Sequence, residues 1–251
     1  MMSDIKVGIV GCGVIGEALK KWLEAYNPSC MISVFDPPKG MNDDLSICDV
    51  IFISIHIPTE EDSTQDLTSL KQVLANLPNK PIFIRTTLLP GTCDELSKEL
   101  NKMVYFMPEF LQEKTAYENF CEQEMVFTGE VDLLQRVFPG KPFVTMTSKE
   151  AEIAKYAHNV FGALKVTYFN GIYQLCEKMN CDYQNVQKGV LVSGYINKMW
   201  SSVPGHDGSF GYGGKCFPKD VKAFLDINKD TFLGTLLEEV DNSNKYYRNK
   251  K

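Results

Sequence analysis

The chain has 251 residues, 44% hydrophobic and 23% charged, and 26 basic against 32 acidic side chains leave it a net charge of −6. This composition excludes a disordered chain and fits one large domain or two smaller ones. The one basic block is the tail 245–251, which argues against nucleic acid as the main ligand, and no apolar run is long enough to span a bilayer.

The N-terminus runs straight into a strand-like segment, without the pattern of a secretory leader. Eight cysteines, at positions 12, 30, 48, 93, 121, 176, 181 and 216, form no Cys-x-x-Cys pair and are accompanied by three histidines. They are expected as reduced thiols of a cytoplasmic protein, with no metal site.

Short apolar runs at 5–10, 31–35, 50–55, 81–85, 103–106, 124–127 and 143–146 read as buried parallel strands. Amphipathic stretches of helical length lie between several of them, at 14–25, 67–77 and 93–101. Strand and helix in alternation predict an α/β domain with a doubly wound parallel sheet over residues 1–147. The link at 36–49 is short, so its crossover must be compact. The pattern changes at Thr147. Thr147-x-x-Glu150 has the form of a capping box and opens a helix. Ile153, Ala157, Val160, Phe161, Leu164, Tyr168, Ile172, Leu175 and Met179 then recur mostly three or four apart, one apolar face over about eight or nine turns. So long a helix needs a partner along its length. That partner is its own chain or a second copy, and we expect a homodimer built on 148–181. Further helices are predicted at 182–192, 218–225 and 231–247, around a glycine-rich stretch at 203–214. Residues 148–251 thus read as an all-helical domain with a long central helix.

Gly11-Cys12-Gly13-Val14-Ile15-Gly16 lies between the first strand and the first helix. This is the dinucleotide-binding fingerprint of a Rossmann-type fold: Gly11 for the tight turn, Gly13 for approach of a pyrophosphate, Gly16 for helix–strand packing. The amides at the helix start, around Val14 and Ile15, offer the phosphates a positive dipole end. Asp36 follows the second strand, 20 residues after Gly16, where a carboxylate accepts from ribose hydroxyls and repels a 2′-phosphate. NAD is therefore expected over NADP, with Lys39 nearby as a counterweight.

The segment Gly211-Tyr212-Gly213-Gly214-Lys215-Cys216-Phe217-Pro218-Lys219-Asp220 crowds glycines around one thiol. A helix starting near Pro218 and two lysines would favour the thiolate. This segment resembles the active-site loop of the UDP-glucose/GDP-mannose 6-dehydrogenases. The resemblance extends to Ala151-Glu152-Ile153-Ala154-Lys155-Tyr156-Ala157-His158-Asn159, to Met107-Pro108-Glu109-Phe110-Leu111-Gln112-Glu113 and to Arg85-Thr86-Thr87-Leu88-Leu89-Pro90-Gly91-Thr92, all in family order.

The resemblance implies a four-electron oxidation of a nucleotide-sugar primary alcohol to a carboxylate, reducing two NAD. Cys216 would trap the aldehyde as a thiohemiacetal that becomes a thioester. Lys155 and Asn159 would donate to the developing oxyanion, Asp220 would move protons through a water, and Thr87 and Glu109 would position the hydrolytic water. Thr87 and Glu113 would lie beside the cofactor, and Phe110, Leu111, Lys155, Gly213 and Tyr212 beside the sugar nucleotide. Read from spacing alone, Lys155 and Asn159 are a solvated pair on one helix face, and Glu109 and Glu113 an i,i+4 acidic pair at a helix start. The chain departs from the family at Met107, where asparagine is usual, and at Lys215, where a small residue is usual. No arginine falls between Arg136 and Arg248 to reach the sugar, and Tyr195 or Lys198 takes its place by spacing. His206 reads as an exposed loop residue. The family's third, nucleotide-holding domain is not expected in 251 residues. A rebuilt nucleotide site would draw on Lys198, Lys215, Lys219, Lys222, Lys245, Arg248, Lys250 and Lys251. Two other readings stand beside this one: a two-electron hydroxyacid or sugar dehydrogenase, which needs no thiol, and a non-catalytic NAD-binding subunit.

Overall fold

Residues 5–58 and 64–250 are described by a computed structural model of the chain. The apolar runs form β1 (Lys6–Val10), β2 (Met31–Asp36), β4 (Val50–Ile53), β5 (Ile82–Ile84) and β6 (Val104–Phe106), all parallel, in the order β2-β1-β4-β5-β6. Every residue of β4 and β5 is buried, as strands covered on both faces must be. Phe52 and Phe83 point into one core with Val7 and Ile9, while Ile51, Ile53, Ile82 and Ile84 point into the other. The first core is covered by α1 (Val14–Tyr26), α4 (Ala116–Glu122) and α5 (Val131–Val137), the second by α2 (Thr68–Asn76) and α3 (Thr92–Leu100). Helix α1 buries Ala18, Leu19, Trp22 and Leu23 on one face, and each large side chain so buried contributes about 1.5–3 kcal/mol.

Two features of the sheet differ from the sequence reading. The short link contains a helical turn at Pro37–Lys39 and a strand β3 (Met41–Asn42) that pairs antiparallel with β2. β7 (Met125–Phe127) and β8 (Phe143–Thr145) form a separate parallel pair rather than extending the main sheet. The end of β6 is closed by side chains instead of a strand: Phe106 N donates to Ser148 Oγ at 3.2 Å, and Thr128 Oγ1 donates to Phe106 O at 2.6 Å.

Helix α6 runs from Ser148 to Met179. The capping box is formed, with Thr147 N donating to Glu150 Oε2 at 2.8 Å and Glu150 N to Thr147 Oγ1 at 3.3 Å. The chain divides into two units between Lys155 and Tyr156, two turns into this helix rather than at its start. Its first turns belong to the α/β unit because they cap it. The buried Glu152 carboxylate accepts from Gly91 N at 2.5 Å and Cys93 N at 3.0 Å, at the start of α3. Burial holds that carboxyl above its ordinary pKa, against the lowering effect of those two amides.

The second unit holds the rest of α6, α7 (Tyr183–Leu191), α8 (Phe217–Ile227) and α9 (Phe232–Arg248). The apolar residues of α6 divide onto two faces instead of one. Tyr156, Val160, Ala163, Phe169 and Cys176 are buried, while Phe161, Tyr168, Leu175 and Met179 are exposed. Among the described residues, no helix is long and apolar enough to cross a membrane.

Candidate active site

In the α/β unit the glycine fingerprint is built by the backbone. Gly11 has φ 82°, and a Cβ there would lie 2.7 Å from the Ser54 carbonyl oxygen; at Gly16 it would lie 2.1 Å from the Gly11 carbonyl oxygen. Around Gly13, the N-cap of α1, nothing among the described residues lies within 4 Å of an added Cβ. The first-turn amides of Val14, Ile15 and Gly16 have no acceptor within the helix. Asp36 Oδ2 accepts from Cys12 N at 2.8 Å, and the Lys39 ammonium donates to the Cys12 carbonyl, so both side chains also hold the loop. Burial and the Glu17 carboxylate, which accepts from Cys12 Sγ at 3.2 Å, push the Cys12 thiol up and keep it unreactive. At the end of β4, beside Gly11, the buried Ser54 hydroxyl has no partner among the described residues. An open cradle, a helix dipole end and an orphaned hydroxyl fit a dinucleotide's phosphates.

The same unit brings Lys155 and Glu109 together. Lys155 Nζ donates to Glu109 Oε1 at 3.0 Å and to the Glu109 carbonyl, and lies 5.3 Å from the Phe110 ring centroid. Glu109 Oε2 accepts from Leu111 N at 2.8 Å. Lys155 is only 4% exposed, so the solvated-pair reading of Lys155 and Asn159 is overturned for both partners; Asn159 is 5% exposed. Glu109 and Glu113 are not an i,i+4 pair either: residues 107–112 are not helical, and the exposed Glu113 begins a separate turn, Glu113–Thr115. Thr87 is half-buried, its carbonyl accepting from Gln65 Nε2 at 2.9 Å.

In the helical unit, Asn159 Nδ2 donates to the buried Asp220 Oδ2 at 2.7 Å, and Lys219 Nζ ion-pairs with Asp220 Oδ1. Lys219 therefore faces Asp220, one turn into α8, while Lys215 is exposed. Cys216 is exposed and is the N-cap of α8. Its neighbour Phe217 is seated against α6, where a Cβ on Gly162 would lie 2.5 Å from the ring, and against Trp200 at 4.9 Å between centroids. The preceding glycines are held by distant side chains. Asn170 Oδ1 accepts from Gly211 N at 3.0 Å, and Asn244 pairs with both Tyr212 N and Tyr212 O, at 2.7 and 3.1 Å. The Arg248 guanidinium packs on Gly213, where a Cβ would lie 2.7 Å from Nη2. Tyr212 is buried, and burial and Asp241 raise the pKa of its hydroxyl.

Sequence reasoning did not single out Arg85, Asn170 or Asn244. The signal for Arg85 was a cation ending a wholly apolar strand; for the asparagines none was local. Of the cations considered for a nucleotide, Lys219, Lys245, Arg248 and Lys250 are in ion pairs, Lys198, Lys215 and Lys222 are exposed, as is Tyr195, and Lys251 lies outside the described residues.

Residues 35–137 match the NAD-binding domain of the UDP-glucose/GDP-mannose dehydrogenase family, and residues 149–246 match that family's central domain. The chain belongs to the UDP-glucose/GDP-mannose dehydrogenase family. The cofactor of this α/β unit is NAD. The chain is 28% identical to UDP-glucose 6-dehydrogenase of Rickettsia bellii over 225 residues, covering 81% of this chain and 51% of that one. It is 30% identical to UDP-glucose 6-dehydrogenase of Rhizobium meliloti over 207 residues, covering 72% and 46%. It thus spans about half the length of the curated relatives it matches. A UDP-glucose dehydrogenase structure from Pyrobaculum islandicum shares the fold, with a TM-score of 0.78 at 21% identity over 98% of this chain and 69% of that one.

Proposed function

We propose that the chain is an NAD-dependent nucleotide-sugar 6-dehydrogenase, similar to the UDP-glucose 6-dehydrogenases, that takes a C6 alcohol to the carboxylate in four electrons. The observation that carries this reading is the exposed Cys216 at the start of α8, with the buried Asp220 one turn on and hydrogen-bonded to Asn159. A two-electron dehydrogenase has no use for a thiol placed this way. Residues 1–147, capped by the first two turns of α6, serve as the NAD-binding domain, and the rest of 148–251 as the helical domain carrying the thiol loop.

NAD supplies the hydride acceptor when bound, held by Gly11, Gly13, Val14, Ile15, Gly16, Asp36 and Lys39, with Thr87 and Glu113 nearby. Lys155 and Asn159 stabilise charge on the reacting oxygen. The Cys216 thiolate adds to the aldehyde carbon and, after the second oxidation, holds the acyl group as a thioester. Water attacks that carbon, the carbon–sulfur bond breaks, and Cys216 leaves as thiolate while Glu109 or Asp220 takes the proton. Phe110, Leu111, Gly213 and Tyr212 contact the sugar nucleotide. The exposed residues Phe161, Tyr168, Leu175 and Met179 on α6 support a homodimer through that helix. Eight cysteines, none of them in a disulfide among the described residues, suit a reducing cytoplasm.

The test is stoichiometry. With UDP-glucose and NAD, the chain should release two NADH per carboxylate, and Cys216→Ala should lower that rate about a thousandfold or more while keeping NAD affinity. One NADH per product, or full carboxylate yield from Cys216→Ala, overturns the four-electron reading. Sedimentation at micromolar concentration showing a single-chain species overturns the dimer.

A further inference from the structure

Arg85 directly follows β5, and its amide still belongs to the sheet, donating to Ile53 O at 2.9 Å. The side chain is 1% exposed, and its guanidinium carbon lies 5.0 Å from the Phe120 ring centroid. Its Nε and Nη1 have no hydrogen-bond partner among the described residues. Burial lowers its pKa to about 10, with the Glu109 carboxylate acting in the opposite direction, so it is a cation at neutral pH. A buried donor left without an acceptor is destabilising, more so when it is charged. Glu109 bonds to neither nitrogen: its Oε1 accepts from Lys155 and its Oε2 from Leu111 N. Two cations thus face one carboxylate, and the surplus positive charge sits on Arg85. Arg85 lines a cleft of about 20 Å³, partly open to solvent, together with Pro108, Glu109, Phe110, Phe120 and Gln123. That volume holds one water, and water is an acceptor that also donates to a carboxylate.

We propose that Arg85 holds one ordered water in this cleft, bridging it to Glu109, and so acts as a positioning residue for the Glu109–Lys155 pair. The bridge keeps the carboxylate turned towards Lys155 and fixes the ammonium in place. The role in turnover rests on the function proposed above; the water itself does not.

Two measurements test it. The first is a crystal structure of the full chain grown with sodium bromide. One water within hydrogen-bond distance of both the guanidinium and Glu109, with no anomalous bromide signal, is the expected result. A bromide peak there, or a dry cleft, overturns the proposal. The second compares Arg85→Met and Arg85→Lys. Replacing a buried cation that makes no direct ion pair by an apolar side chain of similar length should leave the melting temperature unchanged or higher. The kcat with UDP-glucose should nevertheless fall about tenfold at unchanged KM, and Arg85→Lys should recover part of it. If the melting temperature and activity of Arg85→Met fall together and lysine recovers nothing, Arg85 is structural only and the positioning role is wrong. If the unmodified chain oxidises no nucleotide sugar, the functional reading fails, and the crystal still decides the water.

Discussion

The chain has two glycine-rich loops, and they are shaped by different means. The loop 11–16 is shaped from within: Gly11 and Gly16 are required by backbone atoms of the loop itself and of the neighbouring strand. The loop 211–214 is shaped from outside, by Asn170 on α6 and by Asn244 and Arg248 on α9. A loop of the first kind announces itself in a run of six residues. One of the second kind depends on side chains roughly thirty to forty positions away, on helices whose own patterns say nothing of it.

The comparison breaks most sharply at the first loop. Gly16→Ala should destabilise the α/β unit by about 3 kcal/mol or more, because its Cβ would overlap the Gly11 carbonyl. Gly13→Ala should melt within about 0.5 kcal/mol of the unmodified chain, since nothing among the described residues stands near that position, yet lose about tenfold or more in NAD affinity. Thermal melting paired with NAD titration checks both. Equal loss of stability in the two variants would mean that Gly13 is also a packing residue.

At the second loop the expected change is smaller. Asn244→Ala removes both hydrogen bonds to Tyr212 and should cost about 1–3 kcal/mol, with Cys216 alkylation altered and NAD affinity untouched. An unaltered melting curve would show that this loop, too, holds its own shape.

The smallest effect concerns Arg248 and Asp207, whose side chains meet at 2.8 Å. The Arg248 hydrogen bond holds the Asp207 carboxyl below its ordinary value of 3.8. A carboxyl lowered by folding stabilises the native state above that value, and the contribution disappears as pH falls through the native one. Arg248→Met should therefore lower stability at neutral pH by about 0.2–1 kcal/mol and flatten the acid limb of the stability curve below about pH 4. Parallel acid titrations of the two proteins would reveal any failure of that difference to close.

The same contrast explains what could be read in advance. The strands, the capping box at Thr147 and the fingerprint with Asp36 were legible because each depends on residues a few positions apart. The roles assigned to Lys155, Asn159 and Asp220 came from family likeness, since a lysine and an asparagine four apart on a helix carry no sign of burial. The two faces of α6 were merged into one because periodicity counts apolar residues without saying what covers them. The split of β7 and β8 from the main sheet was hidden because Thr128 and Ser148, which close β6, look like ordinary loop and cap residues.

Gly162 bears on any attempt to make this protein hardier. A glycine inside a long helix invites replacement by alanine, and helix α6 offers two such positions, 162 and 171. At Gly171 the nearest atom to an added methyl is the Tyr247 hydroxyl at 3.5 Å, an ordinary contact, so alanine there should gain about 0.5–1 kcal/mol. At Gly162 the same methyl would meet the Phe217 ring at 2.5 Å and push it, together with the adjoining Cys216, off its seat. A consensus or propensity-guided library that treats both sites alike would trade the thiol's alignment for a sturdier rod.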